Sequence, residues 1–145
     1  MFDDLAIVAL DTPLGSVRND VRIERSAADV WAVVAKVGAI ADWFPSFVSS
    51  RIEGSDRIIV TKTGLAMTEQ ILRVDHDQRR LQYSIKPMGP IREHRGTVDV
   101  ISLFDSSCLV TYSTDVVPSV LALAMGAGIA EALQNLCALM ESGEL

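Results

Sequence analysis

Residues 91–96 read IREHRG and place several polar side chains at the beginning of a predicted strand. Two arginines, a glutamate and one of the two histidines of the chain fall within these six residues. An imidazole can move protons near neutral pH, and a guanidinium can stabilise a developing negative charge. If they face an apolar interior, Arg92 and His94 are therefore candidates for acid–base chemistry or for orienting a ligand.

The alternation of side chains along this strand sets which residues share a face. Because successive side chains of a strand point to opposite faces, an inward His94 brings Arg92 to the same face. The apolar tail of the strand agrees with this register, since Val98 and Val100 then also point inward. A shift of one residue would reverse every side chain, and Gly96 is a candidate for a bulge that would cause it. Two interpretations of Arg92 and His94 stay open, a wet rim position and a place inside a cavity.

Glu69, within MTEQIL, is a further candidate for chemistry. A carboxylate that points inward needs a cationic partner to offset its desolvation, and Arg92 is the partner that this interpretation favours. In the catalytic hypothesis, Arg92 stabilises an enolate oxygen while His94 or Glu69 transfers the proton. The alternative for Glu69 is an ordinary surface location.

Aromatic and apolar residues supply candidates for ligand contacts. Each tyrosine shares a strand face with apolar residues, and each is either a cavity hydrogen-bonding group or a core tyrosine. The two aromatic residues that flank Pro45 are candidates for a pocket mouth, although one of them is explained more simply as core. A methionine at helical spacing in the last segment is core or ligand contact. The predicted ligand-binding residues are Trp43, Phe47, Glu69, Tyr83, Arg92, His94, Tyr112 and Met125.

The pattern of apolar residues predicts an α+β protein. A strand over 17–25 precedes a helix over 27–37, which Ser26 caps and Gly38 ends, and a short helix is predicted over 39–44. A long amphipathic helix begins near Ser119 and runs toward the end of the chain. Between the helices, short turns connect candidate strands over 47–53, 57–62, 67–74, 80–86, 91–103 and 108–116.

Composition narrows the class of protein. The chain has 145 residues, 13 basic and 19 acidic, so its net charge of −6 argues against nucleic acid and anionic membranes as partners. The most apolar stretch, residues 120–130, is too short to span a bilayer, and the acidic start MFDDLAIVALDTP is unlike a signal peptide. We therefore expect a cytoplasmic protein with reduced cysteines and no membrane span. No cofactor motif or metal-ligand cluster is present in the sequence, so neither a cofactor nor a metal is predicted.

Four segments carry a resemblance to a known family: SAADVWAVVAKVGAIADWFP, RRLQYSI, PIREHRGTVDV and LVTYSTDVVP. Over about residues 17–142 the chain resembles the polyketide cyclase/dehydrase branch of the START-like (SRPBCC, Bet v 1-like) superfamily. The resemblance implies a helix-grip fold, with a seven-stranded antiparallel sheet wrapped around a long C-terminal helix and two shorter helices after the first strand. It also implies a deep, mostly apolar cavity. His94 stands where a cavity-facing tyrosine is common, and Glu69 where a glutamate is common.

Three functional hypotheses follow, for a single domain over 17–145 preceded by an extension over 1–16 of unknown role. The leading one is binding of a small hydrophobic molecule, similar to a lipid, a sterol or an aromatic polyketide, in an internal cavity. The second is a cofactor-independent enzyme of the polyketide cyclase or dehydratase type. The third is a regulatory or interaction protein, in which the apolar start of the last helix and the extension bury against a partner or a second copy in a homodimer.

Overall fold

The computed structural model describes residues 14–145, and these form an α+β structure of seven strands and two α-helices. A short 3-10 helix follows the first α-helix. In chain order the elements are β1 (Gly15–Ile23), α1 (Ala27–Val34), the 3-10 helix (Val37–Asp42), β2 (Phe47–Glu53), β3 (Asp56–Thr61), β4 (Ala66–Asp75), β5 (Arg80–Ile85), β6 (Glu93–Ser102), β7 (Cys108–Val117) and α2 (Leu121–Ser142).

The seven strands form one antiparallel sheet with the order β1-β7-β6-β5-β4-β3-β2. From β2 to β7, each strand is hydrogen-bonded to the next one along the chain. Strand β1 pairs with β7, so β1 and β2 are the two edges of the sheet. Short turns permit such a meander because antiparallel neighbours need no crossover. The predicted helix-grip architecture is confirmed.

The register predicted for β6 is confirmed within the strand. His94, Gly96, Val98 and Val100 are buried, whereas Glu93 and Arg95 are exposed. The strand begins at Glu93, so the alternation does not extend back to Arg92.

The first helix ends earlier than predicted. Ser26 caps α1 by accepting a hydrogen bond from the Asp29 N–H at 3.1 Å, as the sequence indicates. The α-helix then stops at Val34, and the chain continues as the 3-10 helix. This change in path directs the carbonyl of Val37 to Arg57, whose Nη1 donates to it at 3.0 Å.

Helix α2 packs along the sheet and completes the core. Its second half buries Leu133, Leu136 and Met140 among the apolar residues of the sheet and α1. Near the start of the helix, Gly126 lies against Val17, and its carbonyl accepts a hydrogen bond from Asn19 at 3.0 Å. By length and composition alone α2 could also cross a membrane, a criterion that core helices of soluble domains meet as well.

Strand β1 begins at Gly15, two residues before the predicted boundary of the domain. Gly15 lies close to the start of α2, since a Cβ there would come 2.6 Å from the carbonyl oxygen of Ser119. The rest of the predicted extension, residues 1–13, lies outside the described residues.

Candidate ligand-binding cavity

A cavity of about 520 Å³ lies between the inner face of the sheet and the first half of α2. Its walls are mostly apolar, with Phe44 and Phe47 stacked at a ring separation of 4.1 Å on one side. Exposed residues of the β3–β4 and β5–β6 connections, among them Leu65 and Pro90, form the rim. The size and character of this cavity are those of a small-molecule site, in which a few polar groups interrupt an apolar surface.

Glu69 on β4 is the carboxylate of the cavity wall, and its partner is Arg57 on the neighbouring β3. Both side chains are buried, and Arg57 Nε donates to Glu69 Oε2 at 2.6 Å. Burial raises the pKa of Glu69, while the adjacent guanidinium opposes that shift. Two nitrogens of Arg57 approach the same oxygen within 2.6 Å, a geometry typical of a charge-assisted pair, so we assign the carboxylate form.

His94 on β6 lies in the cavity wall with its protonation pattern set by the backbone. The N–H of Ile85 donates to His94 Nδ1 at 3.0 Å. Since Nδ1 accepts, the neutral ring carries its proton on Nε2. Burial lowers the pKa of His94 to about 4, against a smaller opposing effect of Asp115. At neutral pH this histidine is therefore an uncharged hydrogen-bond donor rather than a general base.

Tyr83 on β5 and Tyr112 on β7 form a buried pair through their hydroxyl groups. Strand β6 lies between them, and Gly96 on that strand makes the approach possible. A Cβ at Gly96 would lie 2.5 Å from Tyr83 Cε1, so any larger residue would displace the ring. Burial raises the pKa of both tyrosines, so both hydroxyls stay protonated at neutral pH.

Three polar atoms of the wall remain open toward the cavity. Among residues 14–145, Arg57 Nη2 is the one enclosed side-chain nitrogen or oxygen that makes no well-aligned hydrogen bond, although it lies 2.5 Å from Glu69 Oε2 as part of the ion pair. The described residues make no hydrogen bond to Glu69 Oε1, His94 Nε2 or Thr114 Oγ1, so these atoms must reach open space. The open space beside all three residues is the cavity. The wall thus presents one carboxylate oxygen, one imidazole N–H and one hydroxyl.

The structure brings five of the eight predicted ligand-binding residues together around this cavity. They come from β2, β4, β5, β6 and α2, five elements that are separated in sequence but meet across the sheet and the helix. Their positions do not establish their roles. The five residues are Phe47, Glu69, Tyr83, His94 and Met125.

Three predicted residues lie elsewhere. Arg92 is exposed and does not line the cavity, because it precedes β6 and its N–H bonds the carbonyl of Val117. The predicted pairing of Arg92 with Glu69 is wrong, since Arg57 occupies that place. Trp43 is buried in the core rather than at the mouth, and Tyr112 sits behind Tyr83 without reaching the cavity.

Sequence reasoning missed most of the lining residues, and three residues with a part in the geometry of the site are instructive. Arg57 lies in DRIIVT, where apolar residues fall on both faces, so alternation does not reveal that it points inward. The requirement of Glu69 for a cation was the available signal. Phe44 takes the wall position expected of Trp43, and Thr114 shares the inward face of β7 with Tyr112. Within the part of the chain that the structure describes, no three His, Cys, Asp or Glu side chains form a metal-ligand set.

Solved structures with this fold include proteins of several kinds. The protein XoxI from Bacillus cereus is 21% identical with a TM-score of 0.81, over 90% of this chain and 99% of that one. Norcoclaurine synthase from Thalictrum flavum, in complex with dopamine and hydroxybenzaldehyde, is 18% identical with a TM-score of 0.71, over 92% and 90%. The di-domain ARO/CYC BexL of the BE-7585A biosynthetic pathway is 18% identical with a TM-score of 0.75, over 87% of this chain and 46% of that one.

At these identities the structural matches establish the fold and not the activity. No curated protein sequence matches the chain significantly. The family model described as polyketide cyclase / dehydrase and lipid transport matches residues 15–141. The match covers nearly all of the described chain, and the protein belongs to this family.

Proposed function

We propose that this protein binds a small, mostly apolar molecule in the cavity between the sheet and α2. The observation that carries the proposal is the cavity of about 520 Å³, whose wall is apolar apart from a few polar groups. Burial of an apolar ligand against such a wall contributes roughly 25 cal/mol per Å² of area removed from water. The open atoms of Glu69, His94 and Thr114 orient the ligand.

Thermal unfolding in the presence of candidate ligands tests this proposal. The panel contains sterols, flavonoids, aromatic ketones, long-chain alcohols and fatty acids. A ligand at 100 times its dissociation constant adds about 2.7 kcal/mol to the folded state, which raises the Tm of a domain of this size by roughly 5–10 °C. No response to any chemotype would contradict the proposal.

A matched pair of variants locates the binding site. Ala124 lines the cavity although it is exposed, so Ala124→Trp places an indole across the opening and reduces or abolishes the ligand-dependent rise in Tm. Leu123, the adjacent residue, is 82% exposed, so Leu123→Trp adds the same side chain on the solvent side and preserves the rise. Equal responses of the two variants would place the ligand outside this cavity.

A second candidate function is a cofactor-independent cyclase or dehydratase. It is favoured by the presence of a carboxylate and an uncharged histidine donor on one cavity wall, and by the description of the family. Arg92 has no part in this version, because it lies outside the cavity. The test is exchange of the α-protons of 2-tetralone for deuterium in D₂O. Exchange that the protein accelerates and that Glu69→Gln abolishes would support an enzymatic function. Exchange at the rate seen in solvent alone would count against it.

A regulatory or interaction role, cytoplasmic location and a homodimer stay predictions. The exposed apolar side chains at the start of α2, Val120 at 73% and Leu123 at 82%, are compatible with a contact between two copies. Sedimentation equilibrium of the full chain measures the assembly state. A strict monomer over the accessible concentration range would count against the homodimer.

A further inference from the structure

Tyr83, which lines the cavity, and Tyr112, which lies behind it, share one hydrogen bond between their hydroxyls, and that bond uses only one of their two hydroxyl protons. Each hydroxyl carries one proton, and a single bond joins them. If Tyr83 donated, the proton of Tyr112 would have no acceptor in the core, and an unsatisfied buried donor is costly. Tyr112 therefore donates to Tyr83, which leaves the proton of Tyr83 available to a group in the cavity that Tyr83 lines.

A second donor stands beside Tyr83. The ring of His94 lies 5.5 Å from the ring of Tyr83, and its Nε2–H is open to the cavity. Both donors are uncharged at neutral pH, and neither has a competing acceptor among residues 14–145 apart from the bond that Tyr83 receives. A carbonyl oxygen has two lone pairs and can accept from both.

The same wall offers no cation to a ligand. None of the residues that line the cavity, among those that the structure describes, is lysine or arginine. The guanidinium of Arg57 is directed at Glu69 and Val37, and its Nη2, which lies 2.5 Å from Glu69 Oε2, is enclosed where no ligand can reach it. Lys86, beyond the end of β5, is paired with Asp56 at 2.6 Å. A ligand carboxylate would therefore be desolvated without a partner, next to the carboxylate of Glu69.

We propose that the cavity selects a neutral ligand that carries a carbonyl oxygen, held by Tyr83 and His94, and excludes the corresponding carboxylate. This inference rests on the proposed binding function and adds the class of ligand to it. The inference predicts that ketones, esters and amides with an apolar skeleton bind more tightly than fatty acids or aromatic acids of the same size.

Three probes with one ring system test the inference at pH 7.5: 2-acetylnaphthalene, 2-isopropenylnaphthalene and 2-naphthoate. The first presents a carbonyl oxygen, the second replaces that oxygen by carbon, and the third presents a carboxylate. Dissociation constants are measured on the full chain by NMR titration. We expect the ketone to bind about tenfold more tightly than the alkene and at least about tenfold more tightly than the carboxylate.

Variants assign the effects to named groups. Tyr83→Phe removes a donor and reduces the preference for ketone over alkene by about five- to tenfold. Tyr112→Phe is the matched control, since it removes a hydroxyl from the same pair without touching the cavity and keeps the preference within about threefold. Glu69→Gln removes the facing negative charge, so binding of 2-naphthoate tightens by at least about tenfold while that of the ketone stays nearly constant.

The outcomes separate the inference from the function on which it rests. If the probes bind but 2-naphthoate matches or exceeds the ketone, or if ketone and alkene bind equally, the inference is overturned and the cavity remains a binding site. If no probe binds, the proposed function itself fails, and the inference falls with it. The ratios among probes are measured on the wild-type protein, so they hold even where a variant does not fold.

Discussion

Neighbouring groups set the protonation, position and charge balance of the polar side chains in the site. Ile85 holds the tautomer of His94 through its backbone N–H, and Gly96 leaves the space in which Tyr83 meets Tyr112. Arg57 has a comparable role, because it offsets the charge of the buried Glu69 carboxylate. A buried pair of this kind adds little to stability as a whole, but loss of one partner leaves the other uncompensated.

The pair can be tested with a double-mutant cycle. Arg57→Met should lower the free energy of unfolding by about 3–5 kcal/mol, because Glu69 is left buried without a cation. The double variant Arg57→Met/Glu69→Leu should be more stable than Arg57→Met alone, since no charge remains. Urea denaturation measures both.

An exposed pair supplies the control for this cycle. Arg51 and Glu53 form an ion pair on the surface of β2, so Arg51→Met should change the free energy of unfolding by less than about 1 kcal/mol. A double variant that is less stable than Arg57→Met would contradict this account, because Glu69 would then stabilise the fold even without its cation.

At the scale of elements, the two glycines of α2 have different surroundings. Gly126 faces β1, and a Cβ there would come 2.6 Å from Val17 Cγ2. Gly128 faces the cavity, and its Cβ would meet only Phe44, at 4.0 Å. One glycine is thus required for close packing of helix and strand, whereas the other leaves space beside the ligand site.

The two substitutions to alanine should therefore have opposite signs. Gly126→Ala pushes the helix away from Val17 and should destabilise the protein by about 1–3 kcal/mol. Gly128→Ala improves helix propensity without a clash and should stabilise it by up to about 1 kcal/mol. Thermal or urea unfolding measures both, and a loss of stability in Gly128→Ala would mean that the cavity side of the helix is packed more tightly than its contacts indicate.

At the scale of the whole molecule, stability toward acid depends on His94. Its pKa is about 4 in the folded protein and about 6.5 in an unfolded chain. Between these values the unfolded state binds more protons, so stability falls as the pH falls through this window and is fully retained above it. Glu69 has the opposite sign, because its raised pKa lets the folded state hold a proton to higher pH.

Comparison with His94→Gln isolates the histidine. Glutamine can accept from the Ile85 N–H but does not titrate, so the stability difference between wild type and variant should depend on pH. From pH 7 to pH 4, wild type should lose up to roughly 3 kcal/mol relative to the variant. Urea denaturation at several pH values measures this, and a constant difference would show that His94 is not buried in its neutral form.

The pattern of residues predicts the order of the elements and the alternation within β6, while the resemblance to a family implied the single seven-stranded sheet and the cavity-facing position of His94. The order and the alternation follow from local periodicity, as at His94 and Val98, where polar and apolar residues alternate strictly. Alternation also marked Tyr83 as a candidate, because it shares a strand face with Leu81 and Ile85, whereas Glu69 was a candidate because it stands where the resembling family often has a glutamate. Alternation could not show that β6 begins at Glu93. The pattern was therefore extended to Arg92, which was wrongly predicted to point inward.

Only the tertiary structure decided which residues meet across the sheet. Arg57 and Glu69 lie on paired strands with a register that no local pattern encodes, and the cavity is formed by residues of the sheet and of the first half of α2 that are distant in sequence. The same packing placed Phe44 in the wall and Trp43 in the core. Partner choice and open volume depend on how distant elements pack, whereas the type of each element depends on its neighbours in the chain.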